Sequence, residues 1–306
     1  SSRGPARFYT AKINITAKGI DTVLFTGMTK ILDRNAHPYP DITNDRAHSA
    51  DLEAMRYDAP ADLLVRSSEG QRVLRDGKSD LQDPDIIIMD RDGGYKDSFA
   101  LPPRMRIVGN DKGPRHNGVF EGLDFDYEDQ SLWVSVENTI YDDGHDAGPG
   151  DSTAWVRFLK FDMKTRTPLA QYAYRVDAVP HVPVPAGGFR INGISDILYL
   201  GKQRFIVIER AYSTGREETD VKVFLADIGD AEDVTGKSLA VDTVKRAMTK
   251  QLLFDLNSLD FPIQNMEGVT FGPKLPNGNR SLIFVSDNNF SSREQTHFLL
   301  FEVIEK

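Results

Sequence analysis

Four places in this chain of 306 residues pair a polar residue at the head of one apolar run with an acid at the tail of the next. The pairs are Glu53 with Glu69, Glu121 with Glu137, Asn192 with Glu209, and Glu267 with Asp287. If they converge, seven carboxylates and one amide meet in one place. Two like charges ~5 Å apart cost about 3 kcal/mol at an effective dielectric near 20, so such a group needs cations, arginines or bound protons. Oxygen ligands without thiolates suit Ca²⁺, with Mg²⁺ as the alternative. The expected metal ligands are therefore Glu53, Glu69, Glu121, Glu137, Glu209, Glu267 and Asp287. Arg115 and His116 precede Glu121, Arg190 precedes Asn192, and Arg210 follows Glu209. Catalytic roles are expected for Glu121, Glu267, Arg115 and His116, with His116 as the candidate general acid. Arg190, Asn192 and Arg210 are the expected substrate-binding residues, since arginines beside cations suit a phosphate or carboxylate.

The elements that must position these residues repeat. The leading polar positions 53, 121, 192 and 267 are separated by 68, 71 and 75 residues, about the length of a four-stranded blade with generous loops. Each copy starts with two short runs, such as Phe120-Glu-Gly-Leu-Asp-Phe-Asp126 and Ser131-Leu-Trp-Val-Ser-Val-Glu137. Further β-branched and aromatic runs follow. An antiparallel hairpin begins and ends on the same side, so its first and last residues meet at one face of the disc. This predicts an all-β chain forming a single β-propeller over residues 1–306, with an acidic channel mouth. Five blades are countable, and six is the alternative. The first runs, Ala6-Arg-Phe-Tyr-Thr-Ala-Lys-Ile13 and Val23-Leu-Phe-Thr-Gly27, read as third and fourth strands of a blade whose inner hairpin is missing. A closed propeller avoids open sheet edges, so the missing strands are expected from a removed N-terminal segment or from a partner. The opening Ser1-Ser2-Arg3-Gly4-Pro5 is neither a signal peptide nor a start methionine.

The net charge of −9, with no basic block, argues against nucleic acid and anionic membranes as partners. With no cysteine there is no thiolate chemistry. No apolar run is long enough for a transmembrane helix. Helical patterning is scarce and best over 231–249. The loop Asp142-Asp-Gly-His-Asp-Ala-Gly-Pro-Gly-Asp151 offers a second, weaker calcium candidate, but lacks the spacing of a helix–loop–helix site. No Gly-x-Ser-x-Gly elbow marks a serine esterase.

Phe120-Glu-Gly-Leu, Ser135-Val-Glu137, Glu209-Arg-Ala-Tyr-Ser213 and Asn265-Met-Glu-Gly-Val-Thr-Phe-Gly-Pro-Lys-Leu-Pro276 resemble the phytase-like family with esterase-like activity. The run Ser281-Leu-Ile-Phe-Val-Ser-Asp-Asn-Asn-Phe290 fits it closely. The resemblance implies a β-propeller hydrolase, exported to the periplasm or outside the cell. It carries Glu53, Glu121, Glu137, Glu209, Glu267 and Asp287 over as suspected functional acids, while Asn192 departs from the pattern. Together these readings predict a calcium-dependent hydrolase of phosphoric esters, phytase- or phosphodiesterase-like, acting on a small anionic substrate. The alternatives are an exported propeller that binds a small anion or protein without turnover and, more weakly, a lactonase-like calcium propeller. The same acids also read as architecture, bonding one blade to the next.

Overall fold

The computed structural model describes residues 4–75 and 78–304; the opening Ser1, Ser2 and Arg3 lie outside them. The chain is all β and folds as successive antiparallel sheets. A two-stranded ribbon, β1 (Arg7–Thr16) and β2 (Gly19–Lys30), comes first. Blade A follows with β3 (Leu52–Asp58) and β4 (Leu63–Ser68). A small hairpin, β5 (Gln71–Arg75) and β6 (Lys78–Gln82), is inserted before blade A resumes with β7 (Asp85–Met89) and β8 (Tyr95–Ser98). Blade B is β9 (Phe120–Asp126), β10 (Ser131–Val136), β11 (Trp155–Asp162) and β12 (Pro168–Arg175). Blade C is β13 (Arg190–Gly201), β14 (Arg204–Ser213), β15 (Asp220–Asp227) and β16 (Thr249–Asp255). Blade D has three strands, β17 (Met266–Gly272), β18 (Arg280–Ser286) and β19 (Phe298–Val303).

The middle strands read as unbroken apolar runs because both faces of each blade are covered. One core layer joins Val65 and Ile88 of blade A to Leu123, Val134 and Phe161 of blade B. The next joins Trp133 and Phe158 to Ile194, Phe205 and Val207 of blade C. A third packs Ile208 and Val223 against Met266, Val269 and Phe284 of blade D. The first ribbon joins through a smaller layer, in which Ala6 and Ile31 meet Leu64 and Met89. This blade-on-blade stacking makes the molecule a propeller, with β3, β9, β13 and β17 as inner strands. The expected strand over 6–13 corresponds to β1, which begins at Arg7, and that over 23–27 falls within β2; β1 pairs only with β2 among the described residues.

Two expectations change. The stretch 231–248 holds no helix. Buried Arg157 donates to the carbonyls of Val234 (3.3 Å) and Lys237 (2.7 Å), and the Val234 N–H donates to Gln171 (2.8 Å), so this backbone bonds across the fold. The Asp142 loop is likewise anchored. Asp143 is buried and accepts two bonds from Arg157, at 2.6 and 2.7 Å, which leaves it no role as a cation ligand.

Candidate functional site

Strand register decides which side chains reach the channel mouth. Leu52 pairs with Ser68, Phe120 with Val136, Ile191 with Tyr212, and Met266 with Ser286. In blades A, B and D a register irregularity follows each pair and falls on Glu53, Glu121 and Glu267, and the second strands lead into Glu69, Glu137 and Asp287. Blade C is regular at Asn192, which pairs with Ala211, so Ile191 and Tyr212 face the cleft there. Glu209 is therefore out of register: it pairs with Ile194, and its neighbour Arg210 pairs with Gly193. Successive strand residues point to opposite faces, so Arg210 reaches the mouth while Glu209 turns away.

A cleft of about 570 Å³ opens at this end of the channel. Glu53, Glu121, Glu137, Glu267 and Asp287 line it, as expected, together with Arg210. Glu69 is buried just behind, 2% exposed. Its Oε1 accepts the Val119 N–H at 2.6 Å, tying blade A to blade B, and its Oε2 has no partner. Glu137, also 2% exposed, accepts from Arg210 Nη2 at 3.0 Å through Oε1 and leaves Oε2 unpartnered. Arg210 Nη1 donates to Glu267 and Asn265. One guanidinium thus neutralises the side of the ring where blades B, C and D meet. Glu121 is 6% exposed and has no hydrogen-bond partner among the described residues.

Among the described residues no cation pairs with the acids on the opposite side of the ring, Glu53, Glu69 and Glu121. Burial raises the Glu121 carboxyl well above its ordinary range, helped by the charges of Glu53, Glu137 and Glu69. Burial does the same to Glu53, with Glu69, Glu267 and Asp51 adding to it. Glu69 is pushed up to about 8 by burial and the charge of Glu137. Glu137 reaches about 7, burial outweighing the attraction of Arg210. Three trios of acids bring an oxygen from each member within 4.8 Å of the other two: Asp51, Glu53 and Glu69; Glu53, Glu121 and Glu267; and Glu69, Glu121 and Glu137. That separation is the span across a cation ringed by oxygens at about 2.4 Å. The unpartnered oxygens of Glu69 and Glu137 and the bare carboxyl of Glu121 fit such a group.

Several expected residues lie elsewhere. Glu209 is sealed in the contact between blades B and C, where it accepts from Tyr174 (2.7 Å), the Asp177 N–H (2.8 Å), Asn192 (3.0 Å) and Lys250. Asn192 also donates to the Asp177 carbonyl at 2.8 Å. These two residues bond blade to blade and do not line the cleft. Arg115 donates to the carbonyls of Thr139 (2.8 Å) and Gly144 (2.6 Å) and stacks over Tyr141, away from the acids. Arg190 lies 3.8 Å from Asp146. His116 is exposed; its neighbour Asn117, not the histidine, lines the cleft. Asp51 was not singled out from the sequence, although it lies two residues before Glu53 and shares its strand face by simple alternation. Arg216 also lines the mouth.

The glycine after the inner acid has a packing role. A Cβ on Gly122 would sit 2.7 Å from the Ile197 nitrogen of the next blade, and one on Gly193 2.7 Å from the Glu137 carbonyl oxygen. Deeper along the inner strands, Arg56 closes the channel. Its Nη2 bonds Asp196 at 2.7 and 2.9 Å and the carbonyls of Ile197 (2.9 Å) and Val269 (3.1 Å), and its Nε lies 3.8 Å from Asp124. All four inner strands meet at this one side chain.

Comparison with known proteins adds the following. A protein of the fungus Arthroderma benhamiae named "Uncharacterized secreted protein" is 27% identical over 147 residues, which cover 44% of this chain and 28% of that protein. An endo-arabinase from Bacteroides thetaiotaomicron superimposes with a TM-score of 0.42 at 10% identity, covering 99% of this chain and 94% of its own. The family model described as "Phytase-like: Esterase-like activity of phytase" matches residues 1–290, and the chain belongs to that phytase-like family.

Proposed function

We propose that this propeller is an exported, cation-dependent hydrolase of phosphoric esters, with Ca²⁺ held by the trio Glu69, Glu121 and Glu137 and with Asp51, Glu53 and Glu267 within reach. The observation that carries this reading is the packing of three carboxylate trios at cation-spanning separations beside unpartnered buried oxygens. A bound Ca²⁺ would polarise a phosphoryl oxygen and lower the pKa of a coordinated water. The chain's own residues supply the rest. Glu267, at the cleft and held by Arg210, takes up the proton of the attacking water. Arg210 holds Glu137 and Glu267 in place and keeps that side of the ring from repelling an anion. Arg216, exposed at the mouth and without a side-chain partner among the described residues, is the guanidinium free to meet the ester's anionic oxygen. Arg115 and Arg190 take no part, because both are bonded elsewhere. Export is supported by the Arthroderma benhamiae relative named as secreted.

The test is turnover of phosphomonoester, phosphodiester, carboxyl ester and lactone substrates, with Ca²⁺ and with chelator. Phosphoric-ester turnover should vanish in chelator and return with Ca²⁺. Turnover indifferent to chelator contradicts the cation. Turnover confined to carboxyl esters or lactones contradicts the substrate class. Calcium binding without any turnover makes the protein a binding module.

A further inference from the structure

Blade C breaks the acidic pattern of the mouth. Where the hairpins of blades A, B and D present carboxylates, blade C presents Ile191 and its cross-strand partner Tyr212, with Phe189 two residues ahead of Ile191. Phe189 is 63% exposed, and its ring lies 6.3 Å from that of Tyr212 at an angle of 35°. The Tyr212 hydroxyl has no hydrogen-bond partner among the described residues. An uncovered phenyl ring beside a free phenol makes an amphipathic surface suited to a flat apolar group with a polar edge. This wall and the acids face the same cleft.

The charge of the cleft narrows what can enter. Eight carboxylates line it against two guanidiniums, Arg210 and Arg216, and Arg210 already bonds Glu137 and Glu267. Even two divalent cations would leave the carboxylates in excess. A ligand bearing many phosphates would meet net repulsion and have one free guanidinium to pair with. A ligand with a single phosphoryl centre needs no more than a cation and Arg216.

We propose that Phe189, Ile191 and Tyr212 form a subsite for an aromatic group, so that the substrate is an aryl phosphoric ester with one phosphoryl centre and polyphosphorylated substrates are rejected. This rests on the hydrolase reading above and deepens it. Phenylphosphonate, which cannot be hydrolysed at its carbon–phosphorus bond, probes the subsite without turnover, and methylphosphonate is its control. In calorimetric titrations with saturating Ca²⁺, phenylphosphonate should bind more tightly than methylphosphonate. Phe189→Ala should remove about three- to tenfold of that preference. Because Phe189 is exposed, this variant should keep its melting temperature. Tyr212→Leu is the second variant and should also lower the preference. myo-Inositol hexasulfate, a polyanion, should not displace phenylphosphonate. The proposal is overturned if neither phosphonate binds, if the preference survives both substitutions, or if the hexasulfate competes. Should the preference respond to both variants while no aryl phosphate is turned over, the hydrolase reading falls and the aromatic subsite stands.

Discussion

Glu121 is the residue on which the chemistry turns. It is buried, unpartnered and surrounded by the charges of Glu53, Glu137 and Glu69. Glu121→Gln keeps the side-chain shape and removes a charge that the fold opposes. The metal-free variant should therefore melt no lower than the parent at pH ~8, yet lose most of its stabilisation by Ca²⁺. Phosphoric-ester turnover should fall by about two orders of magnitude or more, because the cation that activates the reaction is lost. A variant that unfolds would mean the acid bonds blades together and holds no ligand. Glu69 and Glu137 set the pH response. Their folded values of about 8 and about 7 lie above the ordinary 4.5, so between these limits the native state holds more protons than the unfolded chain. Their contribution to stability is full below about pH 4.5 and is lost as pH rises through 7 and 8. Melting temperature without metal should thus decline between about pH 5 and 9, and Ca²⁺ should flatten the decline. A metal-free profile that rises over this range would contradict the assignment.

At the scale of strands, Gly193 is the position most sensitive to a small change. A methyl group there would press on the Glu137 backbone at 2.7 Å. Gly193→Ala should cost about 1–3 kcal/mol, read as a shifted urea midpoint with an unchanged slope. The same inner strands show what the sequence revealed and what it hid. Apolar runs punctuated by turns located the blades, because both faces of each blade are buried. The Glu-Gly pairs located the inner acids, because glycine there lets neighbouring blades approach. Glu209 misled, since its distance from Asn192 matches a hairpin in length but not in register. The irregularity between Ile194 and Asp196 shifts the pairing, and on a strand a slip of one residue reverses the face. The apolar wall of Phe189, Ile191 and Tyr212 gave no signal of its own, because aromatic residues in strands ordinarily belong to the core. The helical pattern over 231–249 failed for a tertiary reason, Arg157 drawing that backbone into bonds across the fold.

Across the whole molecule, Arg56 ties the inner strands together at the axis. Arg56 reaches Asp196 and Asp124 and the backbone of blades C and D. Asp196, pushed up to about 6 by burial despite the attraction of Arg56, depends on that contact to stay charged. Arg56→Ala should destabilise the fold by about 3–5 kcal/mol, since it leaves a buried acid unpaired. Unchanged stability would contradict its role in joining the inner strands. The acids at the mouth form one bowl, in which Arg210 bonds Glu137 and Glu267 and each of these also belongs to a cation-sized trio. The central claim is that this bowl binds Ca²⁺. Its most direct test is the thermal midpoint of the parent and the Glu121→Gln variant near pH 8, measured in chelator and then with Ca²⁺ in excess. At a hundredfold excess over the dissociation constant, binding should stabilise the parent by about 2.7 kcal/mol, a shift of several degrees that the variant largely lacks. An unmoved midpoint in the parent, with no calcium retained after dialysis, would contradict it.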